Sequence, residues 1–361
     1  MKIQFLVADL NLFGGGERVA LNLADGFSKY FSYETEVVSI QKISEPLPFA
    51  LPNNVSARSV GLDLHSANWA GKIYSRIRAF LCVPDEVASD KANIVFGIGT
   101  FPNLILSVLG KSSVKRVGCE HSWHGAPSFY WKVLRQILYP RLDALVTLTE
   151  AAKKDARGLN SKIHVIPNSS PFDNPPKANL YSNRILAIGR LDDGKGFDDL
   201  IKAFSIIAKK CPDWSVEIFG EGPSEPSLKK QVKALDLSNQ IKINHPTREI
   251  EKEYQNASFL ALTSKHEGLP MVLIEALCFG LPAVAFDCSH GPREIIKDGE
   301  TGFLVQLGNI NQLVDRMSDL IFNAERREQM SENSLRHAKK FSQRSICQQW
   351  KDFIEDFFDQ D

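Results

Sequence analysis

Short apolar runs rich in Val, Ile, Leu and Phe alternate with helix-length stretches along this chain, and the alternation starts over after residue 183. No other feature limits the fold as strongly. A strand apolar on both faces must be covered on both faces, and parallel strands need long crossovers that helices supply. KIQFLVA, TEVVSI, NIVFGIG, VKRVGC, ALVTLT and KIHVIP read as the strands of the first half. Between the first two, GGGERVALNLADGFSKY spaces Val19, Leu23 and Phe27 at helical period. The Pro/Asn/Ser-rich stretch 168–183 interrupts the rhythm, which resumes with RILAIGRL, WSVEIFGEG, QIKINHP, SFLALTS, LPAVAF and GFLVQL. The chain is therefore expected to be α/β, with two facing Rossmann-like domains. Residues 1–170 form the first, joined by a C-terminal helix at 342–361; residues 171–182 are a linker and 183–341 the second. Ligands of such sheets bind beyond the carboxyl ends of the strands, so the site is expected in the cleft between the domains.

Formal net charge is zero, which excludes a global nucleic-acid footprint. The balance is nevertheless uneven, and His65–Arg141 carries a net +6, which suits a local anionic partner. Within it, residues 68–81 and 128–141 mix Lys and Arg with Trp, Tyr, Ile and Leu at helical spacing. Such helices lie on anionic lipid or pack on their own sheet. Six scattered cysteines without a CxxC pair suit a reducing cytoplasm and build no zinc site. The first apolar run is too short for a signal peptide, and no segment is long and apolar enough to span a membrane.

KHEGLPMVLIEALCFGLP concentrates the chemistry. Glu275 is the single charge in an apolar helix, and Glu267 stands eight positions earlier, just before Gly268, Leu269 and Pro270. Amides at the start of that helix, from Met271 on, favour an anion such as a diphosphate. Glu275 then suits a ribose diol and Glu267 a sugar beyond the distal phosphate, an arrangement that fits a nucleotide-sugar. Arg190 and Lys195, in AIGRLDDGKGF, follow the first strand of the same domain and supply cations for the phosphates. FGEGP reads as a tight turn. In the first domain Gly15 and Gly16, in NLFGGGERV, allow close backbone approach to a ligand, without the GxGxxG of a dinucleotide site. His121 ends another strand in GCEHSWHG, and His124 is the second choice of histidine.

Taken in order, GGGERV, EHS, GRLDDGKGF, FGEGP, SKHEGLPMVLIEA, GLPAVAFD and HGPREIIKDGETGFLV resemble the retaining GT-B glycosyltransferases of family four over nearly the whole chain. The resemblance implies a donor site of Arg190, Lys195, Gly15, Gly16, Gly268, Leu269, Pro270, Met271 and Glu275. It also implies catalytic roles for His121, Glu267, Arg190 and Lys195. It further implies no metal, no cofactor beyond the NDP-sugar donor, and transfer with retention. His245–Pro246 stands where many relatives have glycine near the nucleobase; UDP is the expected carrier. The expected activity is transfer of a hexose or N-acetylhexosamine to a glycan or polyprenyl-diphosphate-linked sugar. It would serve surface polysaccharide or lipopolysaccharide synthesis, in the cytoplasm or at the inner membrane face. The competing readings are a transferase acting on a soluble sugar and a nucleotide-dependent oxidoreductase.

Overall fold

The computed structural model describes residues 1–12, 14–66, 68–89, 92–110, 114–121 and 128–359. The chain divides into two compact units, Met1–Pro171 with Gln343–Asp361, and Phe172–Ser342.

In the first unit seven parallel strands form one sheet: β1 (Lys2–Val7), β2 (Glu34–Gln41), β3 (Val55–Leu62), β4 (Ile94–Ile98), β5 (Lys115–Glu120), β6 (Ala144–Thr147) and β7 (Ile163–Val165). Their order is β3-β2-β1-β4-β5-β6-β7. Phe5, Val38, Val95 and Val117 are buried in the central strands, as double-sided cover requires. Four helices matter below: α1 (Gly15–Phe31), α2 (Trp69–Ser89), α3 (Thr100–Ser107) and α4 (Phe129–Leu138). The helix Gln343–Asp359 returns to this unit and packs on α1. Its Trp350 meets Phe96 edge-on at 5.0 Å, and Gln343 Nε2 donates to Asn22 O at 2.9 Å.

The second unit repeats the plan with β8 (Arg184–Ile188), β9 (Ser215–Phe219), β10 (Ile241–Asn244), β11 (Phe259–Leu262), β12 (Ala283–Asp287) and β13 (Gly302–Gln306). The order is β10-β9-β8-β11-β12-β13, again parallel throughout. Strand order thus reverses between β1 and β4 in one sheet and between β8 and β11 in the other. At such a reversal neighbouring crossovers leave in opposite directions and open a crevice at the carboxyl ends.

Two features differ from the sequence expectation. Strand β3 has no counterpart in it: β3 is a sheet edge whose middle residues are only half-buried, so it lacks the apolar run that marks the inner strands. The stretch read as a linker, 171–182, is docked on the second unit. Ala178 N donates to Phe279 O at 2.8 Å, Asn179 N to Gln255 O at 2.7 Å, and Leu180 is buried. Its Pro and Asn content signals irregular backbone, which is a different property from lack of contact.

Candidate active site

The crevice of the second unit lies beyond β8 and β11, and the loops after those two strands carry Arg190, Lys195 and Glu267. After β8 the chain turns through Gly189–Gly196; after β11 it turns through Thr263–Gly268. Lys265 N donates to Gly194 O at 2.8 Å and Thr263 Oγ1 to Lys195 O at 3.2 Å, so each loop fixes the other. The result is a bond between Lys195 Nζ and Glu267 Oε1 at 2.6 Å, with side chains 27% and 10% exposed. Gly196 permits this crossing. It has φ +61°, and a Cβ on it would collide with the Thr263 carbonyl. Gly196→Ala is expected to destabilise the unit by about 2 kcal/mol or more, read as a lowered urea midpoint, through left-handed strain plus overlap.

Arg190 is not part of this pair. It is 70% exposed and contacts Asp192 at 3.3 Å. Exposed pairs contribute under about 1 kcal/mol, so Arg190 is loosely held and can turn to an incoming phosphate. Cys288 lies near enough for Glu267 to act on it, and burial pushes its thiol up to about 11, so it stays protonated.

The helix Met271–Cys278 begins beside Glu267. Pro270 is its N-cap in extended conformation, and the amides of Met271 and Val272 precede the first possible intrahelical acceptor. Gly291, at φ +87° in the HGPRE loop, packs against this start; a Cβ there would lie 2.5 Å from Pro270 Cδ and 2.8 Å from Gly268 O. One turn further, Glu275 is 2% exposed. Its Oε2 accepts from the Tyr254 hydroxyl at 2.7 Å. The Tyr254 ring is stacked on Phe279 at 5.1 Å, so the end of the same helix holds the partner of its buried acid. A burial cost expected of Glu275 is thus met inside the fold.

Sequence reasoning missed Tyr254. A recess stands beside the FGEGP turn. That recess has a volume of about 510 Å³ and is lined by Gly222, Pro223, Glu225, Pro226 and Lys229. The FGEGP segment closes on Glu225 N donating to Gly222 O at 3.2 Å, and it lies against the loop after β8: Leu191 N donates to Glu221 O at 2.8 Å, and a Cβ on Gly220 would collide with the Gly189 carbonyl.

In the first unit, Gly15 and Gly16 open α1 directly after β1, at the other strand-order reversal. Glu17 folds back over this start: a Cβ on Gly14 would collide with its carboxylate. Burial raises the pKa of Glu17, its own backbone amide pulls it down, and Asp9 adds to the rise. The carboxylate therefore lies over Gly14, while the position of a Cβ on Gly15 is open. His121 leaves the end of β5. Both ring nitrogens are sealed from water and make no hydrogen bond of good geometry among the described residues, although Asn168 is close enough to act on the ring. Burial lowers its pKa to about 4, so the imidazole is neutral near pH 7. His124 lies outside the described residues. Glu120, just before His121, is buried and clamped by Arg135 at 3.2 Å and by the Tyr139 hydroxyl, while Asn103 Nδ2 donates to it at 3.1 Å.

Two parallel Rossmann-like sheets in series, each reversing strand order at a candidate ligand loop, are the architecture of a GT-B glycosyltransferase. The chain belongs to the glycosyl transferases group 1, whose family model matches residues 155–337, and the Glycosyltransferase Family 4 model matches residues 13–169. An uncharacterized glycosyltransferase of Haemophilus influenzae is 32% identical over 98% of this chain and 99% of its own length. The GalNAc-alpha-(1->4)-GalNAc-alpha-(1->3)-diNAcBac-PP-undecaprenol alpha-1,4-N-acetyl-D-galactosaminyltransferase of Campylobacter jejuni is 27% identical over 98% of each chain. A variant of S. aureus TarM, solved with Fondaparinux, alpha-GlcNAc-glycerol and UDP, superposes with a TM-score of 0.84 at 16% identity, covering 97% of this chain and 99% of that one.

Proposed function

We propose that the protein is a retaining, metal-independent transferase that moves a hexose or N-acetylhexosamine from a UDP-sugar to a glycan or polyprenyl-diphosphate-linked sugar, in cytoplasmic steps of surface polysaccharide synthesis. The observation that carries this reading is the Lys195–Glu267 pair, held at 2.6 Å where the strand order reverses and beside the free amides of the Met271–Cys278 helix. Lys195 and Arg190 neutralise the departing diphosphate, with the amides after Glu267 and the glycine loop. Glu267 takes the donor-sugar hydroxyls and Glu275 the ribose. The neutral His121 offers a hydrogen-bonding group at the anomeric carbon. The C–O bond to the β-phosphate breaks with its electron pair going to the phosphate. The acceptor oxygen bonds the anomeric carbon on the same face and its proton passes to the phosphate oxygen, so the protein's main contribution is fixed electrostatic stabilisation.

The Campylobacter relative, named for a lipid-linked acceptor, and the UDP-bound TarM structure support the choice of acceptor and carrier. Such an acceptor is embedded in a bilayer, so the reading includes peripheral contact with anionic membrane through residues 68–81 and 128–141. Thermal unfolding with UDP-, GDP- and ADP-sugars tests it. A UDP-sugar at about 100 times its dissociation constant is expected to add roughly 2.7 kcal/mol of stability. Protection by a GDP- or ADP-sugar with none by any UDP-sugar would overturn the carrier.

A further inference from the structure

Glu120 ends β5 directly before His121, and three other residues meet on its side chain. Arg135 Nη2 of α4 lies 3.2 Å from Oε2, while Asn103 Nδ2 of α3, at 3.1 Å, and the Tyr139 hydroxyl both donate to Oε1. All four side chains are buried. Asn103 also grips the main chain one residue earlier. Its Nδ2 donates to Cys119 O at 3.1 Å, and its Oδ1 accepts from Cys119 N at 3.2 Å. Gly97 leaves room for it, since a Cβ there would lie 2.5 Å from Asn103 Oδ1. The pairing of β4 with β5 ends at Ile98 opposite Cys119, so beyond that point these bonds take the place of the ladder on that side. The helices that carry the clamp are fixed to each other. Phe101 of α3 meets Phe80 of α2 and Trp131 of α4, each at 5.9 Å, and Asn160 Nδ2 donates to Tyr139 O at 2.8 Å.

Stability does not explain this arrangement. Two buried charges lose their hydration, and apolar side chains of similar size fold about as well. What the pair supplies is a single geometry, because displacing either group strands the other in the core. His121 needs such support. Both its ring nitrogens are sealed from water and make no hydrogen bond of good geometry among the described residues, with Asn168 close enough to act on the ring. A ring so weakly tethered takes its place from the backbone that carries it, and that backbone is fixed one residue earlier. We propose that Glu120, clamped by Arg135, Tyr139 and Asn103, is a positioning residue that sets the His121 imidazole without touching substrate. An error of about 1 Å in the placing of a reacting group costs about a hundredfold in rate, so a rigid mount matters. Its purpose rests on the transfer reading of His121; the clamp itself does not.

Imidazole nitrogen NMR spectra of the histidine-labelled full chain test the clamp, with His121→Ala picking out the His121 signals from those of the eight histidines. The wild-type protein is expected to give one sharp set for a neutral ring. Glu120→Leu alone leaves the Arg135 cation without its carboxylate and should lower the melting temperature. Adding Arg135→Met removes the stranded charge, and most of that loss should be recovered. The His121 signals of the double variant should nevertheless shift and broaden, since the mount is gone. In release of UDP from UDP-glucose or UDP-N-acetylglucosamine, its kcat should fall about tenfold with KM within about twofold. Tyr139→Phe takes one bond and no charge from the clamp. It should move the same signals and lower kcat about threefold, whether or not the double variant folds. A merely structural clamp would restore turnover together with the melting temperature. That outcome, or wild-type His121 signals in both Tyr139→Phe and the folded double variant, would overturn the positioning role. Shifted His121 signals beside full turnover by His121→Ala would leave the mount standing and remove His121 from the transfer reading instead.

Discussion

Lys195→Ala is expected to lower kcat by about a hundred- to a thousandfold, the usual loss when one fixed charge-stabilising group is removed from a transfer site. The ammonium is held by Glu267 at 2.6 Å and by loops that fix each other's backbone, so no reorganisation is needed as charge builds on the leaving diphosphate. Arg190→Ala is expected to cost less, because its guanidinium is 70% exposed and works through water-screened contacts. Lys195 and Glu267 should also be strongly coupled. Removing Lys195 leaves a carboxylate of 10% exposure without its cation, which repels the diphosphate it formerly helped to seat. Adding Glu267→Ala to Lys195→Ala should therefore cost far less than Glu267→Ala costs alone. Steady-state kinetics on the four proteins of this cycle, with melting temperatures as a control, check it. Additive losses would mean that the 2.6 Å contact is incidental to transfer.

The parts of this architecture that were readable in sequence share one cause. Inner strands such as β4 and β11 are buried along their whole length, so their apolar runs have no competing explanation. Loops at their carboxyl ends then fall in the crevice by topology alone, which is why Lys195 and Glu267 could be placed in one crevice before any distance was known. What sequence could not carry is lateral. β3 pairs on one side only and half-exposes its middle, so its pattern resembles a loop. Tyr254 finds Glu275 from twenty-one positions away, across a strand and a turn, and nothing in KEYQNAS announces a partner. Glu17 is also lateral in this sense: its carboxylate lies over Gly14 at the start of the helix, which the glycine loop does not announce.

Glu275→Gln is the sharper probe of the ribose assignment, and it is expected to weaken UDP by about tenfold while Glu275→Ala weakens it by about a hundredfold. The carboxylate is 2% exposed and accepts the Tyr254 hydroxyl at 2.7 Å through Oε2, so a ribose diol must share it with a bond the fold already makes. Hydrogen bonds to a charged group contribute about 1.5–3 kcal/mol each, and two to a diol account for the loss in alanine. Glutamine keeps the shape and leaves an oxygen for Tyr254, so the fold survives and only the charged acceptor is lost. Tyr254→Phe separates structure from binding. It removes a donor to a buried acid and is expected to lower stability by about 1–3 kcal/mol, with a much smaller change in UDP affinity. Calorimetric titration of UDP into the three variants, each with its melting temperature, distinguishes the roles. If Glu275→Gln bound UDP as the wild type does while Tyr254→Phe and Glu275→Gln were equally destabilised, the pair would be a device for closing the helix onto its neighbour, and the ribose would have to be held by other groups.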